Sequence, residues 1–177
     1  MADAGVTLRR AEARPMAGVA AFAGAGDVPG ALAQAFGVAP PARPGCVQGL
    51  GVAISCVGAG RWLVAGGEAD LASRLRALLG GQAAVTDQSD MWDVTCLHGP
   101  SVREALARCV QVDLHPSRFG AGDVALTRAG HLDVILWCVA DAAVGERFEI
   151  AVWRSYAGSL HHALHAAAGA FGVHVAD

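Results

Sequence analysis

The stretch from Asp90 to Phe119, DMWDVTCLHGPSVREALARCVQVDLHPSRF, constrains the fold more tightly than any other part of this chain. Met91 to Cys96 is rich in residues that suit a pleated strand. Gly99-Pro100 breaks that run, and proline is well placed at a helix start, where its missing N–H costs nothing. Val102, Leu106 and Cys109 then recur at helical spacing and are expected to point inward. Asp113-Leu114-His115-Pro116 closes the segment with turn-forming residues. Strand, helix and turn therefore follow one another in a fixed order.

The same alternation runs through the rest of the chain. Val6-Thr7-Leu8 and Ala17 to Phe22 read as strands, and Asp27 is placed to cap a short helix through Leu32 and Phe36. Pro40, Pro41 and Pro44 form a stiff connector, which suggests an N-terminal arm over 1–44 and a main body over 45–177. Val52 to Cys56 and Arg61 to Ala65, joined by Gly58-Ala59-Gly60, give a hairpin signal. Glu68 to Leu79 predicts a helix with a Leu71, Leu75, Leu78 stripe, ended by Gly80-Gly81. Ala83 to Val85 and Met91 to Cys96 read as strands around a polar Asp87–Asp90 turn. Val124 to Thr127 and Leu132 to Val139 form a second hairpin about Ala129-Gly130, and Phe148 to Val152 is a further strand. Ser155 is the expected cap of a last helix carrying Leu160, Leu164, Ala167 and Phe171 on one face. Strand pairs alternating with single helices predict an α+β fold, with helices packed on antiparallel sheet in one compact domain.

Composition excludes several functions. The 177 residues allow one well-cored domain. A net charge of −3 lacks the basic face of a nucleic-acid binder. All 13 basic residues are arginine, so neither a Schiff-base lysine nor a phosphate-loop lysine is present. Cys46, Cys56, Cys96, Cys109 and Cys138 are odd in number and widely spaced, which predicts reduced thiols in a cytoplasmic protein. Arg9, Arg10 and Arg14 ahead of the Ala-Gly-rich 16–26 segment imitate a signal peptide but lack its Leu-rich centre. Val134 to Ala140 is the longest strongly apolar run and is too short to cross a bilayer, so no membrane partner is expected.

Candidate chemistry is sparse. His161 and His165, at i and i+4, are the candidate metal ligands, with His162 beside them; two histidines without a carboxylate do not make a closed site. Asp113 and His115 could exchange a proton, or could form a helix-end turn in which Asp113 accepts backbone N–H bonds. No Gly-x-Ser-x-Gly elbow, dinucleotide glycine loop or His-Glu-x-x-His helix is present. The run Val134 to Val139 has no polar alternation, so it is either a central strand covered twice or a strand pressed on another protein. Trp62, Trp92, Trp137 and Trp153 are core candidates, with Trp137 and Trp153 the candidates for a partner interface.

Five pieces in a characteristic order carry a resemblance: Gly60-Arg61-Trp62-Leu63-Val64, Asp93-Val94-Thr95, His98-Gly99-Pro100, Val112-Asp113-Leu114-His115-Pro116, and Arg154-Ser155-Tyr156-Ala157-Gly158-Ser159-Leu160. From about Gly51 to Phe171 the chain resembles the gamma subunit of heterotetrameric sarcosine oxidase, which is a shortened relative of the folate-binding fold of glycine-cleavage aminomethyltransferases. The resemblance implies an accessory, non-catalytic subunit of a complex that demethylates sarcosine oxidatively to glycine. FAD, FMN, NAD and tetrahydrofolate would belong to the alpha and beta subunits, and zinc to the delta subunit, with no cofactor bound by this chain. In the aminomethyltransferases an Asn-Asp-Val turn places an aspartate beside folate. Asp113 falls at the matching place, but Val112 replaces the asparagine. Gly130-His131-Leu132-Asp133 stands where a Gly-Gly-Ile-x-Asp-Asp-like segment should follow. The alternative is a free-standing folate-binding protein, which should hold a concave pocket lined by Asp113 and an arginine able to pair a glutamate tail.

Overall fold

The computed structural model describes residues 4–176. Two compact units share the chain: Ala13–Asp90 forms one, and the chain ahead of Ala13 joins the chain from Met91 onward to form the other. The architecture is α+β, as the alternation predicts.

The Ala13–Asp90 unit contains β2 (Met16–Ala21), α1 (Val28–Phe36), β3 (Gly45–Gln48), β4 (Val52–Gly58), β5 (Arg61–Gly66), α2 (Leu71–Leu79) and β6 (Ala83–Asp87). Its sheet runs β3-β4-β5-β2-β6 with every neighbour antiparallel. Helix α1 starts where Asp27 accepts the Gly30 N–H at 2.8 Å, and ends at Gly37 in the left-handed region. Its Val28, Leu32 and Phe36 are spaced by four and fully buried, each contributing roughly 1.5–3 kcal/mol of apolar burial. On α2 the buried set is Leu71, Ala72, Leu75 and Leu79. Leu78 of the expected stripe is 38% exposed, because at 100° per residue it falls at the edge of the face that Leu71, Ala72, Leu75 and Leu79 bury.

The expected boundary between an arm and a body does not coincide with the division of the chain. Pro41 accepts the Trp62 indole N–H at 2.9 Å, and β3 begins directly after Pro44, so the proline connector is bound into this unit. Strand β2 lies between β5 and β6.

The other unit contains β1 (Val6–Arg10), β7 (Trp92–His98), α3 (Val102–Ala107), β8 (Val124–Ala129), β9 (Leu132–Asp141), β10 (Gly145–Trp153), α4 (Ala157–Ala168) and β11 (Val173–Ala176). Its sheet runs β11-β1-β7-β10-β9-β8, parallel only between β1 and β11. Leu8, Leu97, Phe148, Ile150 and Leu136 share its core with Val102 and Leu106 of α3 and with Leu160, Leu164 and Ala168 of α4. Cys109 lies beyond the end of α3 and is only partly buried. Ser155 does not cap α4: it sits inside a one-turn 3-10 helix, Arg154–Tyr156, that leads straight into it. Strands β6 and β7 belong to different sheets, so the polar 87–90 segment links the units instead of forming a hairpin.

Candidate functional site

A cleft of about 710 Å³ opens in the second unit where β7 gives way to α3. Its lining comes from the His98-Gly99-Pro100 turn, from α3, from the 112–116 loop and from the β9–β10 tip at Val144 and Glu146. Gly99 is required at the turn. Its φ is +128°, and a Cβ there would lie 2.5 Å from the Gly5 carbonyl oxygen.

Arg103 is the centre of the site. Its Nε donates to Glu146 Oε2 at 2.7 Å, and Nη2 donates to Oε1 of the same carboxylate, a bidentate pair. Nη1 donates to the Leu114 carbonyl, which ties the loop to the helix. The guanidinium also lies 5.0 Å from the centre of the Phe148 ring, which stacks on Phe119 at 6.4 Å. Cys138 donates its S–H to Glu146 Oε1 at 3.3 Å. Burial first, and the Glu146 carboxylate second, push the Cys138 thiol up to about 12. The Arg103 hydrogen bonds hold the Glu146 carboxyl below its usual value.

Asp113 lies on the rim, and its chemistry is local. Its Oδ1 accepts the main-chain N–H of His115 at 2.9 Å, the turn arrangement that its place before Pro116 suggests. The His115 ring faces Ser117 instead: Nδ1 accepts the Ser117 N–H at 3.3 Å and is 2.8 Å from Ser117 Oγ. The bond from the main chain uses Nδ1 as its acceptor. A carboxylate–imidazole–hydroxyl relay needs the carboxylate on the ring, and Asp113 is on the backbone.

A folate site would need more than a rim aspartate. The cleft brings Asp113 and Arg103 together, but Arg103 is already matched to Glu146 and Leu114. Pairing a ligand carboxylate would strand Glu146, at a cost of several kcal/mol for a partly buried charge. The residues present do not fit folate.

The remaining candidates separate. His161 and His165 are exposed on α4, flanking the buried stripe of Leu160 and Leu164. Among the described residues no group of three or more His, Cys, Asp or Glu side chains could hold a metal ion. Trp137 is 5% exposed and paired in register with Glu149, so burial within the chain withdraws it from the surface. Both faces of β9 are covered from Val134 to Cys138, which accounts for the unbroken apolar run. Trp153 is 53% exposed. The Arg103–Glu146–Cys138 cluster has no signature in the sequence, because its partners lie 43 and 35 positions from Arg103 and only the strand order brings them together.

The sarcosine oxidase gamma subunit family matches residues 18–170. The chain belongs to this family. It is similar to a chain of the heterotetrameric sarcosine oxidase from Corynebacterium sp. U-96, solved in complex with pyrrole 2-carboxylate. The two share 30% identity and a TM-score of 0.83, over 97% of this gamma-family chain and 87% of that one. A second likeness, to aminomethyltransferase T of the glycine cleavage system from Bartonella henselae, has 14% identity and a TM-score of 0.67. It covers 97% of this chain but 48% of the aminomethyltransferase, so the gamma fold corresponds to about half of that protein. At this identity the likeness shows the fold alone. No curated protein sequence is significantly similar to the chain.

Proposed function

We propose that this chain is the gamma subunit of a flavin-dependent heterotetrameric sarcosine oxidase, the complex that converts sarcosine to glycine by oxidative demethylation. The observation that carries this reading is the likeness to a chain of such a complex at 30% identity over 97% of the length. Within the assembly the chain acts as a stabilising subunit without a catalytic centre of its own. The saturated Arg103 cluster and the turn-bound Asp113 support that role, since neither leaves a group poised for chemistry. FAD, FMN, NAD and tetrahydrofolate would then reside in the alpha and beta subunits and zinc in the delta subunit. Buried, reduced thiols at Cys56 and Cys138 fit assembly in the cytoplasm. No helix among the described residues is long and apolar enough to cross a membrane.

The test is affinity purification of the tagged chain from its native cells, with subunit composition and flavin absorbance read on the eluate. A yellow complex with larger subunits that oxidises sarcosine is expected. A colourless, monodisperse chain recovered alone would refute the reading.

A further inference from the structure

Helix α4 buries one side through Leu160, Leu164, Ala167 and Ala168. Beside that stripe it exposes three histidines, His161, His162 and His165. At about 100° per residue, His161 and His165 lie only about 40° apart around the axis, one turn above the other. His162 is turned about 100° away from His161. Among the described residues, neither His161 nor His165 has a hydrogen-bond or ionic partner.

Positions i and i+4 hold their Cβ atoms roughly 5–6 Å apart on one helix face. An imidazole nitrogen binds a transition metal at about 2.0–2.1 Å, so two nitrogens in adjacent coordination positions stand roughly 3 Å apart. Rotation about χ1 and χ2 brings two rings at that spacing together over one ion. Leu160 and Leu164 fix the helix beneath the pair, so binding has only the two rings to order. The helix carries no arginine, so no fixed positive charge on it repels the ion. His165 also sits in the last turn, where the carbonyl end of a helix favours a cation.

We propose that His161 and His165 form an open, two-imidazole surface site for a divalent transition metal ion, with water completing the coordination. Imidazole ligands select Ni(II), Cu(II) and Zn(II), whereas Mg(II) prefers oxygen and is not held. Two protein ligands fall short of a closed structural centre, in keeping with the lack of any three-residue metal group among the described residues. The ion therefore contributes nothing to the fold and keeps positions open to a further donor. This inference stands apart from the gamma-subunit reading and does not need it.

The test is calorimetric titration of Ni(II) into the full chain, purified without an affinity tag, and into two variants, His165→Ala and His162→Ala. Each variant removes one exposed imidazole from the same helix, and thermal melts establish that each is folded. The unaltered chain is expected to take up Ni(II) and to ignore Mg(II). His165→Ala should weaken Ni(II) binding by about 10-fold or more, because the remaining His161 and His162 are adjacent and cannot close on one ion. His162→Ala leaves the pair intact and should bind like the unaltered chain. Equal weakening by both variants would make the effect a count of histidines and overturn the site. Full affinity in folded His165→Ala, or no Ni(II) uptake by the unaltered chain, would overturn it as well.

Discussion

Arg103 joins three parts of its unit with one side chain: the β9–β10 tip through Glu146, the 112–116 loop through Leu114, and the core through Phe148. Replacing it with methionine keeps most of the volume but takes the cation from Glu146, which keeps only the Cys138 S–H, and the donor from the Leu114 carbonyl. A loss of about 3 kcal/mol is expected in urea unfolding, the lower end for a broken buried pair because Glu146 is 36% exposed. The same pair gives an acid limb. Because the folded carboxyl lies below its ordinary 4.5, its stabilisation is complete above that pH and is lost as pH falls through the depressed value. Glu146→Gln should flatten the limb, visible as a shallower fall of melting temperature as the pH drops below 4.5. Cys138 behaves oppositely. A thiol at about 12 carries almost no thiolate near neutrality, so it should resist alkylation at about pH 8 until the chain unfolds, as peptide mass mapping would reveal. A reactive Cys138 in the folded protein would contradict its burial. None of this cluster was legible in the sequence, whereas the turn role of Asp113 was, because it depends only on neighbours two residues away.

Elements with strong local signals were legible, and those held only by distant partners were not. Helix α1 announces itself through Asp27 and a four-residue apolar period, and the β8–β9 turn through Gly130 at a φ of 60°. Strands β3 and β11 are four residues each and carry no comparable pattern; β11 exists because it pairs with β1, at Val6↔Val173 and Leu8↔Val175. Local signals can also misplace an end, as where Ser155 enters a 3-10 turn that the sequence reads as a cap. Two glycines test the distinction between a required residue and an incidental one. Gly99→Ala sets a Cβ against the rigid Gly5 carbonyl at a positive φ, so a loss of about 2–3 kcal/mol or more is expected. Gly158→Ala falls in helix α4 with nothing within 4 Å, and should stabilise by about 0.5–1 kcal/mol. Melting temperatures should therefore move in opposite directions; a parallel shift would mean that the backbone at Gly99 is not constrained as described.

At the scale of the whole molecule, the N-terminal segment decides between two organisations. Composition suggests an arm ending at the proline connector, and an arm can be removed without harm to the body. The sheet order says otherwise: β1 lies between β11 and β7, with Val6 0% and Leu8 1% exposed. Arg10 adds an ion pair to Asp93, which is itself buried. The sequence could not reveal this, because β1 pairs with residues near 95–98 and 173–176, and nothing in five residues names partners so far away. A chain starting at Ala13 would lose two ladders of a six-stranded sheet at once and leave β11 without a neighbour. Unburying Val6 and Leu8 alone forfeits roughly 3–6 kcal/mol, a large part of the 5–15 kcal/mol that holds a typical domain folded. The truncated chain should therefore show no cooperative melt in the unit that begins at Met91, while Ala13–Asp90 keeps its own five-stranded sheet and core. Amide exchange separates the two outcomes. Protection retained along β7 and β10 after truncation would restore the arm, and protection lost there but kept along β2 and β5 would establish β1 as an interior strand.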